Sequence, residues 1–385
     1  MAFDLTSRAR ELRPSAAPAL ARGLTPFALC VAFAVLMQLA VKPAVDAYTA
    51  RLLLDIGTNI VLAVSLTMVN GFTGQFSMGH AGFLAVGGYV AATVMYYGSL
   101  RLWGNAEMAG GMLSSMPIKP QPGRSPFSPG DVLFLCSLVA GGLVSGVFGI
   151  LVGLPSLRLR GDYLAIVTLG FGEIVRVTIQ QTGPVIKDAA TARATPWPEL
   201  FTRVGGSLGF SGPPPYTSLF WAFLAATLTV LVAIRLKRST FGRAFLSIRE
   251  DEIASEAMGV NTVRYKVEAF VISAFFAGIA GGLYAHTLGV GLSPQAAGFQ
   301  KSFDIIIMVV LGGLGSVSGA VIAAVVLTLL PEYLRELSNY RMIVFSLALI
   351  LMMIFRPQGL LGVRELWDAA LWRPIARRFG KGGAG

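Results

Sequence analysis

The chain has 385 residues, of which 54% are hydrophobic and only 13% are charged. Soluble globular domains carry about a quarter charged residues, so this composition excludes an ordinary soluble enzyme or binding module. The formal net charge of +11 is high. In a membrane chain with many spans it indicates basic loops on the cytoplasmic side rather than a nucleic-acid partner.

Apolar stretches long enough for a helix to cross the hydrocarbon core recur along the whole chain. Because these runs are unbroken, they do not show the strand-type alternation of an outer-membrane barrel. The sequence predicts an all-α polytopic membrane protein of about ten transmembrane helices, with Gly-rich broken or re-entrant segments. The predicted spans are Leu24–Val41, Leu52–Val69, Ala81–Tyr97, Val132–Leu154, Tyr163–Ile179, Tyr216–Leu236, Val267–Leu288, a pair within Phe303–Leu334, and Met342–Phe355.

The basic residues set the expected orientation. Nineteen of the 31 Lys and Arg residues lie in the N-terminal arm, the turn Leu157–Asp162, the loop Arg235–Lys266 and the tail from Arg356. The positive-inside rule then places both termini in the cytoplasm. We expect a cytoplasmic arm (1–23), a transmembrane domain (24–355) that contains a cytoplasmic loop (235–266), and a cytoplasmic tail (356–385). The first span is expected to be a retained anchor rather than a cleaved signal.

The segment Asp304–Leu330 is too long for one ordinary span and is interrupted by glycines. Two crossings, or a hairpin that returns to its starting side, keep the basic tail inside. Two further segments, Gly98–Gly130 and Gln181–Pro215, are rich in Pro, Gly and Ser and are expected outside. A soluble partner could contact them there, or they could be variable surface loops without a special role.

The loop 235–266 predicts a short amphipathic helix outside the membrane. Ser247 and Glu250 fit a capping box, and Gly259 suits the left-handed residue after a helix end. The apolar positions at helical spacing are Ile248, Ile253, Ala254, Ala257 and Met258. The polar face is acidic, which favours a protein partner over anionic lipid.

Four segments carry a family resemblance. SEAMGV (Ser255–Val260) resembles the EAA loop of ABC importer permeases. Together with GFTGQFSMGHAGF (Gly71–Phe83), GDYLAIVTLGFGEIVR (Gly161–Arg176) and FRPQGLLG (Phe355–Gly362), in this order, the chain is similar to the LivM-type permease of branched-chain amino-acid ABC importers. The similarity covers about Leu52–Gly362.

The resemblance implies a permease of the bacterial inner membrane that moves leucine, isoleucine and valine. It also implies a second, LivH-type permease, two cytoplasmic ABC ATPases and an external substrate-binding protein as partners, with no cofactor. The coupling helix would contact the ATPase. The implied coupling residues are Arg249, Glu250, Asp251, Glu252, Ala254, Glu256, Ala257 and Gly259.

Two Gly-rich breaks, one after Asn70 and one at Gly312–Gly319, are predicted to face each other along a translocation path. Glycine lets a helix break where its freed backbone groups face protein or water. Close packing of small residues is the alternative explanation. The candidate path residues are Asn59, Asn70, Gln75, Ser77, His80, Thr168, Gly312 and Gly313.

Glu173 and Arg176 lie three residues apart on one predicted helix face and are expected to form a structural ion pair. His80 and His286, the only histidines, are too few for a metal site. The sequence contains no G-x-x-x-x-G-K-[ST] loop, so energy must come from another subunit. The alternatives are an ABC permease for urea, short amides or aromatic carboxylates and, more distantly, an ion-coupled secondary carrier.

Overall fold

The computed structural model describes residues 16–104, 128–156, 162–287 and 291–334, with short groups of residues between 340 and 366. These residues are helical apart from their connecting segments, and the isolated bridge Phe210–Leu292 is the extended pairing found among them. Five predicted features lie wholly or in large part outside the described residues: most of the N-terminal arm, most of the loop Gly98–Gly130, the turn 157–161, about half of the span 342–355, and the tail beyond 366.

Thirteen α-helices lie within the part of the chain that is described. They are α1 (Ala16–Leu36), α2 (Ala47–Leu66), α3 (His80–Trp103), α4 (Pro129–Ser156), α5 (Asp162–Gln180), α6 (Ala189–Ala194), α7 (Trp197–Leu200), α8 (Leu219–Arg238), α9 (Thr240–Glu250), α10 (Glu252–Ala257), α11 (Thr262–Ala285), α12 (Phe299–Gly312) and α13 (Val317–Tyr333). Seven of them, α1 to α5, α8 and α11, are long and apolar enough to cross a membrane. The helical membrane architecture is therefore confirmed, and the seven candidate spans correspond to the seven spans predicted before residue 300.

The centre of the bundle is formed by α3, α4 and α11, which approach one another at glycines. A Cβ atom at Gly141 would lie 2.5 Å from the carbonyl oxygen of Gly87, and one at Gly278 would lie 2.7 Å from that of Gly141. Any larger residue would push the three backbones apart. Close backbone approach of this kind is how membrane helices gain packing energy without a hydrophobic driving force between them.

The remaining spans surround this centre. Helices α1 and α2 pack on α8, and the pair α12–α13 packs on α2. Helix α2 ends in a π-helical turn, Thr67–Gly71, and the chain then stays non-helical until α3 begins at His80. The first Gly-rich break is therefore an unwound segment between two buried helices.

The segment Asp304–Leu330 forms two helices, α12 and α13, joined by a tight turn at Gly313–Ser316. At 1.5 Å per residue, helices of 14 and 17 residues reach about 21 and 26 Å, less than the roughly 30 Å of the hydrocarbon core. The expectation of two segments rather than one is confirmed. Both are shorter than ordinary spans.

The connections gather at two ends of the bundle. One end carries the basic loop 235–266, and we call it the basic end. There, residues 239–261 contact Gly71 and the α12–α13 turn. At the opposite end, segment 181–218 is folded rather than loose. It contains α6 and α7, and Tyr97 on α3 donates a hydrogen bond to the Arg203 carbonyl at 2.6 Å. Arg101 lies 4.5 Å from the centre of the Trp197 ring. The basic end holds the predicted coupling residues and all of the predicted path residues except Asn59.

Candidate translocation and coupling site

The side chain of Asn70 connects the two ends of the first break. Its Oδ1 accepts a hydrogen bond from the Ser77 backbone N–H at 3.1 Å, so one side chain clamps both ends of the unwound segment. Met78 N–H donates to Thr168 Oγ1 at 3.0 Å, and His80 Nε2 lies 2.8 Å from Ser65 Oγ. The structure therefore brings Asn70, Ser77, His80 and Thr168 together, all of them buried.

Two buried side-chain atoms in this segment have no hydrogen-bond partner among the residues that the structure describes. Gln75 Oε1 and the Ser77 hydroxyl oxygen are both buried and unpaired. An unsatisfied buried polar group costs about 1–3 kcal/mol, so most native structures avoid it. These two atoms are the polar groups of the break that remain available to another molecule.

The second break is equally crowded. A Cβ atom at Gly312 would lie 2.5 Å from the backbone of Gly319, and Gly313 has a φ of +106°, a conformation that other residues rarely adopt. The C-terminal segment closes on this turn, because Leu360 N–H donates to the Leu311 carbonyl at 2.7 Å. The motif at Phe355–Gly362 thus packs against the α12–α13 turn.

The two breaks touch each other, and Arg249 joins them. A Cβ atom at Gly71 would lie 2.7 Å from Gly315 N. The Arg249 guanidinium donates to the Gly71 carbonyl at 2.7 Å and to the Leu314 carbonyl at 3.4 Å. We call residues 70–79 and 312–319, with the side chains that bind them, the glycine junction. Arg249, predicted as a coupling residue, belongs to it.

Two residues of the glycine junction were not anticipated from the sequence. Lys237 at the end of α8 donates to the Gly315 carbonyl at 2.7 Å and to Glu365 Oε1 at 2.6 Å, and it lies 5.8 Å from the centre of the Phe72 ring. Glu365 also accepts from the N–H groups of Val317 and Ser318 at 3.1 and 3.0 Å. A carboxylate at a helix N-terminus is stabilised by those free N–H groups.

Burial raises the pKa of Glu365, but hydrogen bonds from Lys237, Ser318 and Val317 outweigh it and leave the pKa below its ordinary value. Glu365 is therefore ionised at neutral pH. The available signal in the sequence was a lone acidic residue just after FRPQGLLG. Nothing in the spacing linked it to Lys237, which lies 128 positions away.

The loop between α8 and α11 holds two helices instead of the single predicted one. The capping box at Ser247 is wrong, because Ser247 lies inside α9 and its hydroxyl donates to the Ala244 carbonyl. Helix α9 already starts at Thr240, where Ser239 Oγ accepts from Gly242 N–H. Asp251 ends α9 and caps α10, accepting from the N–H groups of Ile253 and Ala254 at 2.9 and 3.0 Å.

The predicted apolar stripe is split between two directions. Ile248 is buried against the bundle, whereas Ile253 and Met258 are 68% and 85% exposed. Ala254 and Ala257 are exposed with them. Gly259 has a φ of +87°, which confirms the left-handed residue after the helix end. The exposed apolar residues at α10 therefore form a small face that the other described residues leave uncovered.

The four acidic residues of this loop differ in their roles. Asp251 caps α10, and Glu252 pairs with Lys266 at 2.6 Å. Glu250 and Glu256 are exposed. Two of the four charges are thus used within the chain, and two remain at the surface beside the apolar face.

The predicted ion pair and one predicted path residue lie away from the glycine junction. Glu173 and Arg176 form the expected ion pair at 2.7 Å, with side chains 39% and 30% exposed. Asn59 lies in α2, about three turns before Asn70, and donates to Thr328 Oγ1 at 2.9 Å. Asn59 is therefore separated from the other path candidates.

A groove of about 460 Å³ opens between α3, α4 and α5. Its lining is mostly apolar. The Thr93 and Thr178 hydroxyls donate to carbonyls of their own helices, and Thr182, just after α5, donates to the Ile179 carbonyl. Without a free polar group it offers nothing to a charged solute. Its surface chemistry is that of a lipid-facing groove.

A multi-spanning helical bundle with unwound glycine segments in its interior and a two-helix loop at its basic end defines the class as a membrane transport protein. Comparison with known proteins gives the family. Residues 48–355 match the family described as "Branched-chain amino acid transport system / permease component".

Individual relatives agree with this match. The chain is 37% identical over 318 residues to the high-affinity branched-chain amino acid transport system permease protein LivM of Salmonella typhimurium, covering 78% of this chain and 67% of that protein. It is 23% identical over 355 residues to the probable LivM of Methanocaldococcus jannaschii, covering 86% and 98%. It is also 26% identical to LivH of Escherichia coli over 319 residues, covering 80% and 92%. No solved structure matches the chain significantly.

The chain belongs to the family of branched-chain amino acid transport permeases. It is the permease component of a branched-chain amino acid ABC transporter, a membrane subunit rather than an enzyme. The resemblance inferred from the four sequence segments is thereby confirmed.

Proposed function

We propose that this chain carries leucine, isoleucine and valine across the bacterial inner membrane as one half of a translocation path. A LivH-type permease would form the other half, two cytoplasmic ABC ATPases would drive the cycle, and an external binding protein would deliver the solute. The observation that carries the proposal is Arg249, which reaches from the α9–α10 loop to the backbones of both Gly-rich breaks.

The α9–α10 loop is the proposed ATPase contact. Exposed apolar side chains rimmed by charges mark an interaction site, and Ile253 and Met258 are such side chains beside Glu250 and Glu256. A short helix that places its apolar face in a partner's groove gives a rigid mechanical contact. Asp251, the residue before α10, caps this helix, so the helix does not depend on a partner for its N-terminal hydrogen bonds.

The proposed motion runs from this loop to the glycine junction. When ATP closes the ATPase pair, α9 moves, and Arg249 pulls on the Gly71 and Leu314 carbonyls together. Lys237 makes a second connection, since it binds Gly315 and Glu365 from the helix just before the loop. Because both breaks are tied to one loop, they would open and close as a unit. Release of ADP and phosphate would return the junction to the arrangement in which the path faces the cytoplasm.

The path would pass beside the first break. Asn70, Ser77, His80 and Thr168 converge there, and Gln75 Oε1 and Ser77 Oγ have no hydrogen-bond partner within the described part of the chain. A group that is unsatisfied in one state of an alternating-access cycle favours another state in which water or solute reaches it. Gly312 and Gly313 line the opposite side of this contact.

In the membrane, the proposed topology places the basic end inside and segment 181–218 outside. Helices α12 and α13 then form a short hairpin whose turn lies at the inner side, and the last span, 342–355, returns the chain to the cytoplasm. This gives ten membrane segments with both termini inside, in agreement with the distribution of Lys and Arg.

Uptake of labelled leucine into vesicles tests the proposal. The vesicles hold this chain with its partner permease, ATPases and binding protein, with each subunit omitted in turn. We expect ATP-dependent uptake that isoleucine and valine suppress and that urea and benzoate do not. Uptake by this chain alone without ATP would indicate a carrier instead. ATP-driven movement of a competitor without leucine uptake would keep the mechanism and change the solute.

A further inference from the structure

A cluster of charged and polar side chains lies at the opposite end of the bundle from the glycine junction. Asp55 and Asn59 on α2, Lys301 and Asp304 on α12, and Thr328 on α13 are all half-buried. We call these five residues the outer recess. Asp55 is eight residues into α2, which places it about 12 Å below that end of the helix. Such residues within membrane helices are rare unless they serve a function.

Lys301 is the centre of the outer recess. Its ammonium donates to Asn59 Oδ1 at 3.4 Å and lies 6.0 Å from the centre of the Tyr284 ring. Asp55 and Asp304 both interact with it electrostatically. Asp55 also interacts with Arg51, one turn earlier on α2, and Asp304 with the side chain of Gln300. Yet among the described residues neither carboxylate comes within 4 Å of the ammonium, so no ion pair closes.

Three other partly buried pairs of opposite charge form direct ion pairs. Lys266 and Glu252 meet at 2.6 Å, Lys237 and Glu365 at 2.6 Å, and Arg176 and Glu173 at 2.7 Å. A cation and two carboxylates that form no direct ion pair in a membrane region lose this stabilisation, because charges are costly there unless they are paired. The recess is therefore built differently from a structural ion pair.

We propose that the outer recess binds the charged head of the transported amino acid, an inference that rests on the proposed function for its substrate class. Lys301 receives the carboxylate of the zwitterion, and Asp55 and Asp304 receive its ammonium. Asn59 holds Lys301 toward the recess and is itself held by Thr328. The location near the outer end makes this the first site that a delivered solute meets.

The proposal separates a zwitterion from its analogues. Leucinamide keeps the ammonium but lacks the carboxylate, so it loses the interaction with Lys301. The compound 4-methylpentanoate keeps the carboxylate but lacks the ammonium, so it cannot bind the carboxylates of Asp55 and Asp304. A site with buried polar groups rejects ligands that leave those groups unpaired far more strongly than it distinguishes apolar side chains.

The experiment measures initial rates of leucine uptake in the assembled transporter, with leucinamide and 4-methylpentanoate as competitors. For Lys301→Met we expect KM to rise about tenfold or more, kcat to change less than about twofold, and discrimination against leucinamide to fall. For Asp55→Asn we expect discrimination against 4-methylpentanoate to fall. The matched control is Lys187→Met, because Lys187 is exposed in segment 181–218; its KM should stay unchanged.

Co-purification of each variant with the second permease provides the second readout. Unchanged KM and unchanged discrimination in assembled Lys301→Met and Asp55→Asn transporters overturn the inference. Loss of assembly in both variants, with assembly restored by Lys301→Arg but leucine selectivity unaltered, also overturns it and assigns the recess to the contact between permeases. Absence of leucine uptake by the unmodified transporter defeats the proposed function itself, a result distinct from both.

Discussion

The glycine junction and the outer recess lie at opposite ends of α2 and α12 and treat polar groups in opposite ways. At the junction, cationic side chains from the loop region bind backbone carbonyls of Gly71 and Gly315, and the backbones are in contact. At the recess, Lys301 and its neighbouring carboxylates stay apart. One end is closed by its own chain, whereas the other leaves charges for a ligand.

The difference teaches which end can transmit force and which can bind solute. A charged side chain that holds a backbone carbonyl transmits displacement directly, because the hydrogen bond is short and directional. Charged side chains that form no ion pair with one another do not make such a link, but they can discriminate between ligands. The four predictions below test this contrast, from the largest expected effect to the smallest.

Arg249→Ala removes the link between the α9–α10 loop and both breaks. We expect ATP-dependent uptake to fall about tenfold or more, because a hydrogen bond from a charged donor contributes about 1.5–3 kcal/mol. ATP hydrolysis should continue without transport. Arg243→Ala is the matched control, since Arg243 is exposed on the same helix. Equal uptake by the two variants would contradict the coupling role.

Gly71→Ala wedges the two breaks apart, because its Cβ would lie 2.7 Å from Gly315 N and 2.8 Å from the Thr67 side chain. We expect a loss of about 1–3 kcal/mol in stability, the usual effect of overpacking, together with slower transport. Gly170→Ala is the control, since a Cβ there meets nothing within 4 Å. Thermal unfolding in detergent measures the stability of both variants. If Gly71→Ala is as stable as Gly170→Ala, the junction is less tightly closed than described.

Glu365→Gln removes the anion that joins Lys237 to the start of α13. The pKa of Glu365 lies below its ordinary value of 4.5 in the folded chain, so its stabilising contribution is present above about pH 4.5 and is lost as pH falls through the lowered folded value. We expect a loss of about 2 kcal/mol at pH 7. The melting temperature of the variant should also depend less on pH below 4.5.

The matched control for this prediction is Glu250→Gln, because Glu250 is an exposed acidic residue of the α9–α10 loop. Its melting temperature should follow that of the unmodified protein at every pH. A pH profile of Glu365→Gln that coincides with that of the unmodified protein would show that the C-terminal segment does not secure the junction.

The pair Glu173–Arg176 should give the smallest effect. A partly exposed ion pair contributes about 0–1 kcal/mol, and this one is about one-third exposed. We expect Glu173→Gln to lower the melting temperature slightly by leaving Arg176 unpaired, and the double variant with Arg176→Met to recover it. Leucine selectivity should not change in either variant. A change in selectivity would place this pair with the outer recess as a ligand-binding region.

The sequence allowed the helices before residue 300, the division of Asp304–Leu330 and the left-handed Gly259 to be predicted, because these depend on local apolar length and on single-residue backbone preferences. It failed at Ser247, where a capping pattern was matched within a helix that had already begun at Thr240. A short polar motif does not reveal whether its first residue is inside or outside a helix. The preceding cap at Ser239 decided that.

The candidate path was predicted only in part for the same reason. Gly71 and Gly315 could be identified as breaks from composition, but their contact spans 244 positions and depends on how α2 and α12 pack. Lys237 and Glu365, and likewise Asp55 and Lys301, are isolated charges in the sequence. Periodicity describes one helix at a time and does not show which faces of two helices meet.

By itself, the sequence determined that this protein is a helical membrane permease, since the bilayer requires long apolar helices and the four family segments are specific. Only the tertiary structure decided that Arg249 binds both glycine breaks and that Lys301 faces two carboxylates without pairing. The physical reason is that hydrogen bonds and ion pairs act over a few ångströms. Long-range packing alone brings such distant residues that close.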